Sequence, residues 1–266
     1  MGTRRRLDAE LVRRGLARSR EQAAGLVADG RVLVAGQAAG KPATQVAAGD
    51  PILVTSTGQE PQYASRGGAK LAGALAAFPG LRVAGRRCLD AGASTGGFTD
   101  VLLRSGAAHV IAADVGYGQL AWALRTDERV TVLDRVNVRQ LQPGQVAPAP
   151  DLVTADLSFI SLTLVLPALV RCAAPDADFV LLVKPQFEVG KGRVGAGGVV
   201  REPGLRGEAV ASVANAASGL GLGVAGLAAS PLPGPAGNVE YFLWLRRGAP
   251  PLGAAELRRV ITEGPQ

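Results

Sequence analysis

Apolar residues recur at helical spacing over residues 8–16 (Leu11, Val12, Leu16) and 20–28 (Ala23, Ala24, Leu26, Val27). Ser19 supplies an N-cap for the second helix and Gly30 a stop. Short strand-like runs follow at 31–34 and 50–54, with Gly36, Gly40 and Pro42 providing turns between them. The pattern over residues 1–60 predicts a small α+β module. Residues 55–62 are polar and contain Gly58 and Pro61, so a linker is expected there, with its last part at 61–65.

From Gly67 the pattern changes. A helix over about 67–77 is followed by strand-like runs at 86–89, 109–113, 130–133, 151–155, 178–183, 223–229 and 239–245, with helical stretches between most of them. Alternation of this kind predicts parallel strands joined by helical crossovers, an α/β domain over 66–266. The last two runs are separated only by the turn-rich stretch 230–237, which predicts an antiparallel hairpin at the edge of a mixed sheet. A helix over about 253–262 closes the chain.

Charge locates a partner. The net charge is +7, and residues 1–20 hold seven arginines against Asp8 and Glu10. Clustered arginine is the electrostatic footprint of nucleic-acid binding, because each phosphate contact releases condensed counterions; a solvated basic helix face gives the same count. Lysine is scarce, at only Lys41, Lys70, Lys184 and Lys191. A lysine kept where arginine is the habitual cation points to a role arginine cannot fill, such as losing its proton. The single histidine, His109, argues against a histidine triad or a multi-histidine metal centre, and no metal is expected. Cys88 and Cys172 are too few for a disulfide framework and read as small core residues in a reducing cytoplasm. The basic N-terminus lacks an apolar signal region, and Pro167 and Arg171 interrupt the most apolar stretch, 162–174. A soluble, cytoplasmic protein with no membrane partner is expected.

The sharpest local motif runs from Cys88 to Thr99: a strand, a glycine-rich turn and a helix start. Gly92 and Gly96 let the backbone pass close to a ligand, and amides near the helix start offer donors. The lysine of a phosphate loop and the GxGxxG dinucleotide pattern are both missing, so the Asp90-x-Gly92-x-x-x-Gly96 form suits a ligand without a pyrophosphate, such as S-adenosylmethionine. The next strand ends at Asp114, the position from which an acid hydrogen-bonds a ribose hydroxyl in nucleoside-binding α/β folds. The third strand runs into Asn137, within reach of an adenine edge. Asp156 and Lys184 stand at the carboxyl ends of the fourth and fifth strands, which open onto the ligand crevice. With Lys70 and Glu240 they make two lysines and two carboxylates at one site, a setting that helps one lysine act as general base toward a hydroxyl. Phe159 reads either as a stacking surface for an extruded base or as core.

These residues carry a resemblance. The stretches Asp8–Arg20, Ser65–Leu71, Leu89–Phe98, Ala155–Ser161, Val183–Gly190 and Gly237–Phe242 resemble the TlyA family, the S4-domain ribosomal RNA 2′-O-methyltransferases also called haemolysin A. The resemblance spans nearly the whole chain. It implies an S4-type RNA-binding domain over 1–60, with Arg6, Arg18, Arg20 and Lys41 as RNA contacts. It also implies a Rossmann-like methyltransferase domain over 66–266, binding S-adenosylmethionine through Asp90, Gly92, Ser94, Gly96, Gly97, Phe98, Asp114, Asn137 and Asp156. The family's Lys-Asp-Lys-Glu tetrad falls on Lys70, Asp156, Lys184 and Glu240, with Lys184 taking up the 2′-hydroxyl proton. The longer N-terminus and C-terminal helix are similar to those of members acting on cytidine in both small- and large-subunit RNA. One departure is visible: an Arg-x-Trp-Val linker in similar actinobacterial members is Pro61-Gln62-Tyr63-Ala64 here. The expected partners are ribosomal RNA and ribosomal subunits, and the expected state is a monomer. Three other readings remain: a non-catalytic ribosome-assembly factor, a methyltransferase of transfer RNA, and a membrane-lytic protein, the last disfavoured by the lack of a long apolar segment.

Overall fold

The computed structural model describes residues 4–17, 19–47, 49–54 and 63–264, and the chain divides into two compact units, 1–62 and 63–266. In the first, β1 (Arg5–Arg6) leads into α1 (Leu7–Arg13) and α2 (Arg20–Ala28), followed by β2 (Val32–Val34), β3 (Gln37–Ala38), β4 (Gln45–Val46) and β5 (Ile52–Val54). β2 lies between β3 and β5 in an antiparallel sheet, and β1 pairs antiparallel with β4. Leu7, Leu11, Ala23, Val27, Val32 and Val46 form the core of this unit. Ser19 caps α2 as predicted, its hydroxyl accepting from the Gln22 N–H at 3.1 Å. Helix α1 stops at Arg13, short of the predicted 16, because Gly15 turns the chain at φ +70° and Leu16 N–H returns to the Leu11 carbonyl.

In the second unit, α3 (Arg66–Ala77) precedes β6 (Arg87–Ala91), α4 (Gly97–Arg104), β7 (His109–Ala113), α5 (Trp122–Arg125), β8 (Val130–Leu133), β9 (Leu152–Ala155) and α6 (Leu162–Cys172). Then come β10 (Asp178–Val183), α7 (Pro185–Glu188), α8 (Pro203–Ser218), β11 (Gly223–Ala229), β12 (Tyr241–Arg246) and α9 (Ala254–Glu263). The strands form one seven-stranded sheet in the order β11-β12-β10-β9-β6-β7-β8. All pairings from β10 to β8 are parallel, while β12 runs antiparallel to both β10 and β11. The predicted terminal hairpin is therefore present, with β12 inserted inside and β11 at the edge. The more apolar β12 is the one buried on both sides.

Alternation along the strands feeds two cores. Leu89, Ile111, Val153, Leu181 and Leu243 face one layer, with α6, α8 and α9, while Cys88, Val110, Val180, Phe242 and Trp244 face the other, with α3 and α4. Burial on both faces is why these strands read as continuous apolar runs rather than alternating ones. The two cysteines are buried and free, as read from the sequence.

Two boundaries differ from expectation. Tyr63, Ala64 and Ser65, assigned above to the linker, pack with the second unit: the Ala64 N–H donates to Asp100 at 2.8 Å, and Arg104 lies 5.1 Å from the centre of the Tyr63 ring. Glu240 precedes β12 rather than starting it. The chain changes direction across the sheet at β6, which has β7 on one side and β9 on the other. A crevice opens at such a switch point, at the carboxyl ends of the strands.

Candidate active site

The crevice at the ends of β6, β9 and β10 gathers the tetrad as two ion pairs. Lys184 Nζ lies 2.6 Å from Asp156 Oδ1, and Lys70 Nζ lies 2.6 Å from Glu240 Oε2. Sheet register explains the gathering. Leu181 pairs with Ala155, so Asp156 emerges one residue past the β9–β10 ladder; Val183 pairs with Tyr241, so Lys184 and Glu240 face each other one step beyond it. Lys70 reaches the same place from the first half of α3, and a Cβ on Gly67, one turn earlier, would be 3.8 Å from Asp156 Oδ2. The Lys70–Glu240 pair is almost completely enclosed, whereas Asp156 keeps 22% of its side chain exposed. Only the Lys184–Asp156 pair is therefore open to a substrate. Lys184 Nζ also donates to Ser158 Oγ at 3.0 Å, a contact that the sequence motif contained but did not reveal.

The glycine-rich turn is built as a tight connection with one charged anchor. Gly92 adopts φ +88°, and a Cβ there would stand 2.5 Å from the Asp156 carbonyl oxygen, so the β6 and β9 ends can meet only at glycine. Asp114 Oδ2 accepts the Ser94 N–H at 2.8 Å and Oδ1 accepts the Gly116 N–H at 2.7 Å. Ser94 sits at φ +47°, an uncommon conformation for a non-glycine residue. Each Asp114 oxygen retains a further lone pair, so the carboxylate suits the two hydroxyls of a ribose. Val115, 73% exposed, offers an apolar surface beside it, and Asn137 is exposed with its side-chain oxygen accepting the Arg139 N–H. A carboxylate fork, an apolar surface and a close-approach turn together fit a nucleoside with a thioether or sulfonium tail better than a polyphosphate.

Other expected ligand positions face inward. A Cβ on Gly97 would collide with Ser65 Oγ and stand 2.7 Å from the Gly68 nitrogen, so glycine there lets α4 lie against α3. Phe98 is buried with its ring centre 6.0 Å from that of Phe242, making it a core residue rather than a wall of the crevice. Gly96, at φ +97°, makes room for Leu120 and Leu124. Asp90 is fully buried and accepts from Thr99 Oγ1 at 2.6 Å, leaving Oδ1 without a partner. Burial, with Asp156 and Asp114 nearby, pushes its carboxyl up to about 7.

Phe159 is 91% exposed at φ +63°, so of its two readings the core one does not hold; its ring centre lies 5.2 Å from that of Phe187. Two further residues, after β7 and β8, were not singled out in the sequence: Tyr117 is 67% exposed, and Arg135 stands 4.4 Å over its ring. His109 bonds Thr131 Oγ1 through Nε2, a link between neighbouring strands.

In the first unit, Arg6 and Arg20 both donate to the buried Asp8, through Nη2 at 2.8 and 3.0 Å, and their side chains remain 47% and 61% exposed. The Arg6 hydrogen bond holds the Asp8 carboxyl well below the usual range, and Arg13 and Arg14 bring Glu10 down to about 2. Lys41 is exposed, and Arg18 lies outside the described residues. The acids arrange the arginines without covering them. Among the described residues no group of three or more His, Cys, Asp or Glu side chains converges as metal ligands would, and no helix is long and apolar enough to cross a membrane.

Fold and crevice define an α/β methyltransferase with an appended RNA-binding module. The FtsJ-like methyltransferase profile matches residues 63–247 and the S4 domain profile residues 5–52. The chain is 61% identical over the full length of both proteins to the 16S/23S rRNA (cytidine-2'-O)-methyltransferase TlyA of Mycobacterium tuberculosis. It is 41% identical to YqxC of Bacillus subtilis, over 97% of this chain and 93% of that protein. A solved structure of a hemolysin-named protein from Streptococcus thermophilus superposes with a TM-score of 0.79 at 37% identity, covering 99% of this chain and 96% of that one. The chain belongs to the TlyA family of FtsJ-like methyltransferases, whose methyl donor is S-adenosylmethionine.

Proposed function

We propose that this protein methylates the ribose 2′-hydroxyl of cytidine in ribosomal RNA, in both the small and the large subunit. The observation that carries the reading is the half-open Lys184–Asp156 pair at the mouth of the crevice, in a chain 61% identical to an enzyme named for this reaction.

Bound S-adenosylmethionine supplies an activated methyl group, so the protein's part is positioning and proton removal. Asp114 would hold the ribose of S-adenosylmethionine, Val115 and Asn137 its adenine, and the backbone of Gly92 to Gly96 its amino-acid end, with Asp90 and Asp156 bracing the turn. Lys184 Nζ is the proton acceptor. Lys184 would take up the 2′-hydroxyl proton as the ribose oxygen accepts the methyl group that bound S-adenosylmethionine would supply. Ser158 Oγ accepts one N–H of Lys184 and Asp156 Oδ1 stands 2.6 Å away as its ion-pair partner, which together fix the nitrogen where the substrate hydroxyl would approach. The enclosed Lys70–Glu240 pair supports this arrangement from below. Phe159 offers a face on which an extruded cytosine stacks. Arg6, Arg18, Arg20 and Lys41 grip RNA phosphates. We place the enzyme in the cytoplasm, with its ribosomal substrate, as a monomer.

The test is transfer of labelled methyl groups from S-adenosylmethionine to purified 30S and 50S subunits, tRNA and protein-free rRNA, with the nucleoside identified by mass spectrometry. The expected product is 2′-O-methylcytidine on both subunits. Label confined to tRNA, or no label with subunit binding intact, contradicts the proposal.

A further inference from the structure

Two segments build the mouth of the crevice: the loop 156–161 after β9, and Lys184 with helix α7 after β10. They touch at three levels. Lys184 meets Asp156 and Ser158, Phe187 meets Phe159, and Glu188 meets Ser161 and Leu162. The third contact has no part in the chemistry derived above. Glu188 Oε2 accepts from Ser161 Oγ at 2.5 Å, and Oε1 accepts the Leu162 N–H at 2.8 Å.

We propose that Glu188 is a positioning residue for methyl transfer: its carboxylate clasps the end of α7 to the segment after β9 and so fixes where Ser158 and Phe159 stand relative to Lys184. This inference rests on the methyl-transfer reading of the site.

Three observations support it. First, among the described residues no ion pair is formed by Glu188, so a half-buried carboxylate is held by neutral donors alone, and burial pushes its carboxyl up. An arrangement that costs desolvation without a compensating cation needs a geometric reason. Second, Ser161 and Glu188 divide the capping of α6: Ser161 Oγ takes the Thr163 N–H at 3.1 Å, and Glu188 takes the Leu162 N–H. The second cap comes from 26 residues further along the chain, so it also ties the start of α6 to the segment after β10. Third, Phe159 stands in the left-handed region at φ +63° while its side chain is 91% exposed. A non-glycine residue keeps such a conformation only where its surroundings over-determine it. Lys184–Ser158 on one side and Glu188–Ser161 on the other pin the segment at both ends.

The substitutions Glu188→Ala, Glu188→Gln and Ser161→Ala test the clasp in the full-length protein acting on ribosomal subunits. Thermal stability, S-adenosylmethionine affinity, kcat and KM are measured beside wild type and Lys184→Ala. The expected result for Glu188→Ala is a kcat lowered at least tenfold, with cofactor affinity within twofold of wild type. Glu188→Gln should recover most of the rate, since its amide oxygen still accepts the Leu162 N–H and its nitrogen can donate to Ser161 Oγ. A folded Glu188→Ala protein with kcat within twofold of wild type overturns the proposal, as does a Gln variant no better than Ala. If Glu188→Ala does not fold, Ser161→Ala decides: a fall of severalfold in kcat supports the clasp, and an unchanged kcat overturns it. An inactive wild type would instead count against the methyl-transfer reading itself.

Discussion

Lys70 and Glu240, separated by 170 residues in sequence, meet in an ion pair of 2.6 Å whose side chains are 6% and 0% exposed. One comes from the helix that opens the methyltransferase unit, the other from the turn before the last strand. Removing either partner strands a buried charge, at a cost of about 3–5 kcal/mol. Lys70→Ala and Glu240→Ala should each lower the stability of the second unit by about that much, and the double variant should lose much less than the sum. Urea unfolding of the four proteins measures the coupling; additive losses would show that the pair does not act as a unit.

Asp90 gives a pH dependence with a definite sign. Its carboxyl is raised in the folded protein to about 7 from an ordinary 3.8. Its contribution to stability is therefore fully present below the ordinary value and is lost as pH rises from about 4 through 7. Asp90→Asn keeps an acceptor for the Thr99 hydroxyl and carries no charge to bury. It should melt several degrees above wild type at pH 8, and the difference should vanish near pH 4. Melting temperatures across that range check it, and a gap independent of pH contradicts it.

Asp114 holds the two loops that would frame the cofactor, through Ser94 N–H and Gly116 N–H. Hydrogen bonds to a charged acceptor are worth about 1.5–3 kcal/mol each. Asp114→Ala should weaken S-adenosylmethionine binding by roughly 10- to 100-fold on that basis. Calorimetric titration measures it, and an unchanged Kd would remove Asp114 from the cofactor site.

Arg6 and Arg20 share Asp8 yet keep about half of their side chains in solvent. The double substitution Arg6→Ala, Arg20→Ala should weaken binding of ribosomal subunits while leaving cofactor affinity alone. The slope of log affinity against log salt should fall by about 1 for each phosphate that the variant no longer neutralises. Affinity measured over a salt series decides; an unchanged slope would assign the arginines to folding of the module.

Much of the second unit is legible in the chain because its central strands are buried on both faces and its strands throughout are apolar runs. The apolar runs at 109–113, 130–133 and 178–183 coincide with β7, β8 and β10. The two-residue strands β1, β3 and β4 are too short for any periodicity to register. At the site, Asp114, Asp156 and Lys184 declare themselves by standing at strand ends. Gly97 and Phe98 mislead, because a glycine needed for helix-on-helix contact and a core phenylalanine look the same in a glycine-rich motif as ligand residues do. Lys70 and Glu240 stand out in the chain only through lysine scarcity and the resemblance, since their meaning lies in a contact between distant segments. Ser158 and Glu188 sit inside recognisable motifs, but what each touches depends on how β9 and β10 align.

The role of Lys184 as acceptor of the 2′-hydroxyl proton stands or falls on single-turnover methyl transfer to ribosomal subunits, comparing wild type with Lys184→Arg across pH. Arginine keeps the cation beside Asp156 but cannot give up its proton. Cofactor and subunit binding should stay close to wild type, with 2′-O-methylcytidine formation reduced at least a hundredfold at every pH. A Lys184→Arg protein that methylates at a rate near wild type would contradict that role.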